Sequence, residues 1–246
     1  MSGNIIAPTA VLVATTPSAT GLASTFGQVT TSATTATVVR KTTYTEPAAA
    51  AQRSVSSSSA ADTAAGTGAR QVKITYFDGS MNGPFTETVT LSGVAAVDTV
   101  AVNIRFIEKV EVVSVGSGGV NAGTITLFGA AAGGGGTVGT IAIGDNTTLW
   151  CHHYVANGKT CYLNQTLFGT SKAAGNFFVR MQNPLVATQP DTQATATVSI
   201  DNTASSQPFI YPVPLSFVGP MRLTAFAQSS SGASNDHFGG LNYFEQ

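Results

Sequence analysis

From Arg70 onward, short runs of β-branched and aromatic residues alternate with clusters of glycine, asparagine and aspartate, and no segment sustains a 3.6-residue apolar repeat. Val72–Phe77, Thr86–Leu91, Ile104–Val115, Thr124–Phe128, Thr137–Ile143, Thr147–Val155, Thr160–Leu167, Asn176–Gln182, Ala194–Ile200, Met221–Gln228 and Phe238–Phe244 read as strands. Asp78-Gly79, Asn82-Gly83-Pro84, Ser92-Gly93, Asp145-Asn146 and Asn157-Gly158 read as turns, and residues 116–123 and 130–136 as glycine-rich loops. Short strands at intervals of roughly 8–12 residues are the mark of a sandwich or barrel. The chain is therefore expected to be all-β, with a jelly-roll-like β-sandwich over residues 70–246. Residues 208–220 are apolar but carry Pro208, Pro212, Pro214 and Pro220. Proline cannot donate to a central ladder, so this stretch is expected at an edge or as a loop over the end of the sandwich, where it could form a contact surface.

Residues 1–52 lack periodicity and are rich in Thr, Ala, Ser and Pro. Alone, such a segment buries too little apolar surface to offset the entropy of ordering it. With the Ser/Ala/Gly run that follows, residues 1–69 read as an extended N-terminal arm and hinge. Val11-Leu12-Val13, Phe26, Val38-Val39 and Tyr44 are spaced apolar anchors. They fit an arm that orders on a neighbouring subunit; the plainer reading is a flexible tail. One short helical turn is expected over Glu46–Ala51, after Pro47. No basic stretch precedes the apolar run Val11–Ala14, so no signal peptide is read and synthesis in a cytoplasm is expected.

Charge narrows the function. Charged residues make up 9 % of the chain, against about a quarter in ordinary globular proteins, and the net charge is −1. So little repulsion does not keep copies apart, and a surface this poor in charge is expected to be covered by other copies or other proteins. The basic residues are scattered, with Arg40-Lys41 the one adjacent pair, which argues against nucleic-acid binding. No apolar stretch approaches the ~20 residues needed to span a bilayer.

Candidate chemistry is sparse. A two-residue turn at Asn157-Gly158 would set Cys161 opposite Tyr154, and a three-residue loop would set it opposite His153 with Cys151 on a diagonal. Diagonal neighbours lie ~7–8 Å apart, too far for a relaxed disulfide, so two free thiols are expected. His152 and His153 are adjacent and on a strand point to opposite faces, so with Cys151, Cys161 and Asp145 they make a poor metal site. His237 beside Asp236 lacks an identifiable nucleophile, and no Gly-x-Ser-x-Gly elbow occurs. Gly116-Ser117-Gly118-Gly119-Val120-Asn121 breaks the dinucleotide pattern at Asn121 and precedes a strand, so it reads as a hairpin loop. Glu108 and Glu111 face opposite sides of one strand, unlike a glycosidase pair, and Asp145 and Asp201 sit beside asparagine in turns. Trp150, Tyr154, Tyr162, Phe177 and Phe178 could bind sugars if exposed but read as packing residues. No catalytic, cofactor or metal residue is assigned, and the chain is not read as an enzyme.

Several segments resemble virion structural proteins of tailed bacteriophages. They are Ser57–Arg70, Glu87-Thr88-Val89-Thr90-Leu91-Ser92-Gly93, Ile107-Glu108-Lys109-Val110, and Gly144-Asp145-Asn146-Thr147-Thr148 with Val155–Cys161. Together they span about residues 53–167. The resemblance implies a β-rich accessory component of head or tail with no catalytic residues. The resemblance does not say which; within it a capsid-attached decoration or fibre-anchoring protein is the expectation, with a tail or baseplate component or a receptor- or carbohydrate-binding module as alternatives. The expected partners are other copies, as trimers, and the major capsid protein or neighbouring virion proteins reached by the arm. The expected location is the virion.

Overall fold

The structure is a computed structural model and describes residues 22–171, 174–186, 191–200, 205–230, 232 and 234–246. In chain order the strands are β1 (Ala23–Thr31), β2 (Thr37–Val38), β3 (Ser54–Ser57), β4 (Ala69–Phe77), β5 (Phe85–Thr90), β6 (Val97–Asp98), β7 (Phe106–Val115), β8 (Ile125–Phe128) and β9 (Thr137–Ile141). Then come β10 (His152–Val155), β11 (Thr160–Thr170), β12 (Gly175–Gln182), β13 (Thr192–Gln193), β14 (Val198–Ile200), β15 (Ser205–Val218), β16 (Met221–Ser229) and β17 (Asn235–Glu245).

Two sheets face each other as a jelly-roll sandwich. One runs β1-β17-β11-β15; in the other β16 pairs with β12 on one side and with both β10 and β2 on the other, while β12 carries β13 and β14. The first strand thus lies beside the last, and the connections β1–β2, β10–β11, β11–β12, β14–β15, β15–β16 and β16–β17 cross between the sheets, as in a jelly roll, while β12, β13 and β14 stay in one sheet. Between the sheets lies a core of Val39, Cys151, Val155, Cys161, Leu163, Phe168, Phe177, Val179, Leu223 and Leu241. Gly27 on β1 pairs with Gly239 on β17, facing Val39 and Cys151 on the second sheet's side. A Cβ on Gly27 would lie 2.4 Å from the Cys151 nitrogen and 2.5 Å from the Val39 oxygen, so only glycine lets the sheets approach there.

Residues 41–149 are inserted into the edge of that second sheet. β2 and β10 line the same side of β16, and the chain leaves at Arg40 and returns at Trp150, which bridge each other. The insertion builds two further sheets, β6-β3-β8-β9 and β5-β4-β7. Its core includes Tyr44, Val55, Val72, Ile74, Ile104, Ile107, Ile125, Leu127 and Trp150. Phe77, Met81, Phe106, Tyr154 and Ala156 form a third cluster where the insertion meets the sandwich.

Several expectations change. Residues 22–69 are not an arm: they supply β1, β2 and β3, and Val39 and Tyr44 are buried within their own chain. Residues 1–21, with the anchors Val11–Val13, lie outside the described residues, as does Asp201. Glu46–Ala51 forms no helical turn, because Ala51 is drawn out by paired backbone bonds with Ile104 at 3.1 and 3.2 Å. The Ser/Ala/Gly run after Arg53 is no hinge. It wraps around the Asp62 carboxylate, which accepts from Ser57 Oγ and from the backbone N–H of Ala69, Ala122 and Gly123. The expected hairpins at Asn157-Gly158 and at residues 116–123 are crossovers: β10 pairs with β16, β11 with β15 and β17, β7 with β4, and β8 with β3 and β9. The proline-punctuated stretch is β15, an edge strand. Leu163 pairs with Leu215 and Gln165 with Ile210, so Tyr211–Pro214 bulge out opposite Asn164 and two prolines avoid the ladder.

Candidate functional site

Two features merit a functional reading: the outer face of the β1-β17-β11-β15 sheet, and a buried polar joint between sandwich and insertion. On the sheet, Cys161, Leu163, Phe168 and Leu241 point into the core. The alternate residues therefore point outward. Phe26 and Phe238 stack with ring centroids 6.4 Å apart, and Tyr162 and Phe244 stack at 4.9 Å. Leu167 pairs with Pro208 and Gln165 with Ile210 on the edge strand. Asn242 donates to Gln165 Oε1 at 2.7 Å. The side chains of the edge are open to solvent: Ile210 is 66 % exposed, Val213 75 % and Val218 64 %. Among the described residues the one charged group on this face is Asp236, at its end, accepting from Thr30 Oγ1. A face of stacked aromatics and exposed aliphatics set among uncharged polar residues such as Gln28, Gln165 and Asn242, with a single charge among the described residues, matches an assembly surface.

The joint centres on β10. His152 and His153 do point to opposite sides. His152 is fully buried among the Tyr44, Trp150 and Tyr154 rings, and its Nε2 meets the Ile107 carbonyl at 3.0 Å. Burial, with the nearby Arg40 charge, lowers its pKa to about 3, so it stays neutral. His153 has Nδ1 3.0 Å from Glu108 Oε1 and Nε2 3.0 Å from Glu245 Oε1, and its ring lies on Tyr243 at 3.8 Å. Burial alone would push its pKa down, but Tyr243, Glu108 and Cys161 outweigh burial and hold it well above the ordinary value. Glu108 Oε2 also accepts from the Tyr154 backbone N–H at 2.9 Å. Behind this, the Tyr154 hydroxyl meets Tyr44 at 2.9 Å and Glu46 at 2.8 Å, and Glu46 pairs with Arg222 at 2.6 Å. Burial first, and Glu46 second, push the Tyr44 phenol up to about 12.

The other sequence candidates fall into structural roles. Cys151 and Cys161 are free and buried, and burial pushes the Cys151 thiol up, away from nucleophilic use. Glu111 pairs with Lys73 and Lys109, and Asp145 with Lys41. His237 is buried against Phe177 with neither ring nitrogen bonded among the described residues, and Asp236 turns to the opposite face. Asn121 exchanges hydrogen bonds with Asn146, each accepting the other's backbone N–H at 2.9 and 3.0 Å. Trp150, 2 % exposed, is no sugar platform; its Nε1 donates to Thr42 O at 3.1 Å. Tyr154, Phe177 and Phe178 are buried too, and Tyr162 is the aromatic of that set on the outer face. Among the described residues no group of three His, Cys, Asp or Glu is placed to hold a metal ion. Sequence reading missed the Glu108–His153–Glu245 cluster, because its members lie on three strands and no spacing marks them.

No family model and no curated protein matches the chain. Among solved structures it is similar to one of infectious bursal disease virus, Gx strain, at 10 % identity and a TM-score of 0.27, covering 94 % of this chain and 73 % of that one. It is similar to the Gt strain of that virus at 11 % identity and a TM-score of 0.22, covering 93 % and 71 %. The STIV MCP matches at 10 % identity and a TM-score of 0.22, covering 92 % and 97 %. With TM-scores this low, the jelly-roll assignment rests on the chain's own strand order.

Proposed function

We propose that this chain is a structural component of a virion and works by protein–protein assembly. The observation that carries the reading is the outer face of the β1-β17-β11-β15 sheet: stacked aromatics and exposed aliphatics with one charge among the described residues, on a jelly-roll scaffold of the kind used by capsid domains. Copies of the chain, as a trimer, pack through this face. The resemblance to tailed-phage virion proteins covers mainly the insertion. It supports an accessory component of head or tail, and of these we favour a capsid-attached decoration or fibre-anchoring protein, with a tail or baseplate component as the second position. Residues 1–21 are what remains of the proposed arm toward the major capsid protein or neighbouring virion proteins. The burial of Trp150 weighs against a carbohydrate module built on that residue. Quantitative mass spectrometry of purified particles, with antibody labelling of the intact particle, tests the assignment. The reading expects many copies per particle in symmetric positions, and absence from purified particles overturns it.

A further inference from the structure

We propose that His153 is an alkaline-release clip: an imidazolium held between Glu108 and Glu245 that fastens the last strand of the sandwich to the inserted unit and lets go when it loses its proton. The argument is one of donors and acceptors. A neutral imidazole has one N–H and one lone-pair nitrogen, whereas a carboxylate only accepts. Both ring nitrogens of His153 lie 3.0 Å from a carboxylate oxygen. Two ionised acceptors are met only by a ring carrying two N–H groups.

The three residues come from three places in the chain. Glu108 lies on β7 of the insertion, His153 on β10 at the return to the sandwich, and Glu245 at the end of β17. Glu108 is fixed further by the Tyr154 N–H on its other oxygen. His153 is 4 % exposed, whereas the Glu108 and Glu245 side chains keep 13 % and 19 % exposure, so a carboxylate that loses the imidazolium can turn toward the solvent it already touches. The titratable groups facing it are Glu108 from β7, Tyr243 and Glu245 from β17, and Cys161 from β11. His152, its neighbour on β10, is turned to the other side, and β1 contributes no titratable residue. When the proton leaves to solvent, the cluster goes from one net negative charge to two, and one of the two carboxylates loses the His153 N–H it accepted from. The fastening then fails on the Glu108 or the Glu245 side. This inference does not depend on the virion reading.

The test is long-range nitrogen–proton NMR of the full chain labelled at histidine nitrogen, followed from about pH 6 to 10, with His153 assigned by its loss in His153→Gln. An ordinary histidine titrates near 6.5. The clip expects both His153 nitrogens in the protonated range at neutral pH and a midpoint well above that value. It also expects amide exchange over residues 235–246, corrected for intrinsic base catalysis, to rise at least about tenfold across the midpoint, the change that 1.4 kcal/mol of opening free energy gives. If His153→Gln does not fold, Glu245→Gln serves for assignment: the amide oxygen still accepts while the charge is gone, so the midpoint falls. A neutral single tautomer at neutral pH, which would mean a protonated glutamate, overturns the proposal. So does a midpoint at or below the ordinary value, or exchange that ignores the titration.

Discussion

Arg40 and Trp150 lie side by side as an antiparallel bridge, so the insertion between them begins and ends at one point on the edge of the sandwich. Trp150 closes that point. Its indole packs on Tyr44 at 4.8 Å and reaches over Gly139 of the insertion. A Cβ on Gly139 would lie 2.3 Å from Trp150 Cη2, inside any tolerated contact. Gly139→Ala should therefore force the ring to shift and destabilise the fold by about 1–3 kcal/mol, the usual range for overpacking. Urea unfolding followed by the single tryptophan's emission measures it. An unchanged midpoint would mean that Trp150 does not seal the joint.

Acid should weaken the joint through His152. A histidine whose folded pKa is lowered contributes stability that is present above its unfolded pKa and is lost as pH falls from there toward the folded value. With the folded pKa about 3, the window runs from the ordinary histidine value down toward pH 3. Between pH 6.5 and 4 the loss should be roughly 3 kcal/mol from this one buried group. His152→Gln should flatten that part of the stability–pH curve; an equally steep curve in the variant would remove His152 as the cause.

Asp62 organises the loops at one end of the insertion. Burial pushes its carboxyl up, but hydrogen bonds from Ser57, Ala122, Ala69 and Gly123 more than offset burial and hold it below the ordinary carboxylate value. That stability is present above the unfolded pKa and is lost as pH falls through the folded one. Asp62→Asn places an amide N–H against backbone donors and should cost about 1–3 kcal/mol at neutral pH, the penalty of an unsatisfied buried group. Hydrogen exchange at Ala69, Ala122 and Gly123 should rise together; protection that survives in all three would contradict the arrangement.

Much of the fold was legible, and the failures share a cause. β8 and much of β4 and β11 carry their burial as side-chain alternation, and β12 and β16, buried on both faces through their middles, show as runs of apolar residues, both of which a sequence displays directly. β1 does not, because its inward position beside the second sheet is Gly27, where close approach forbids any side chain. β2 is too short for a pattern. The turn at Asn157-Gly158 and the loop over residues 116–123 were legible, but turn chemistry is local and does not say whether the next strand joins the same sheet. Proline marked β15 as an edge because its missing N–H is a global constraint readable from one residue. The opposite orientation of His152 and His153 followed from strand geometry. The carboxylates that meet His153 did not, since tertiary packing alone brings Glu108 and Glu245 to it.

The outer sheet face carries the central claim and gives the most direct test. Ile210 and Val218 are both exposed on the edge strand of that face. Burying an aliphatic side chain contributes about 1.5–3 kcal/mol, and burying a charge in its place reverses the sign. Sedimentation velocity of the wild type should show a discrete oligomer at micromolar concentration. Ile210→Asp with Val218→Asp should weaken association by more than about a hundredfold and leave the monomer's thermal unfolding unchanged. A wild-type chain that stays monomeric at high concentration, or a double variant that assembles as tightly as the wild type, would contradict assembly through this face.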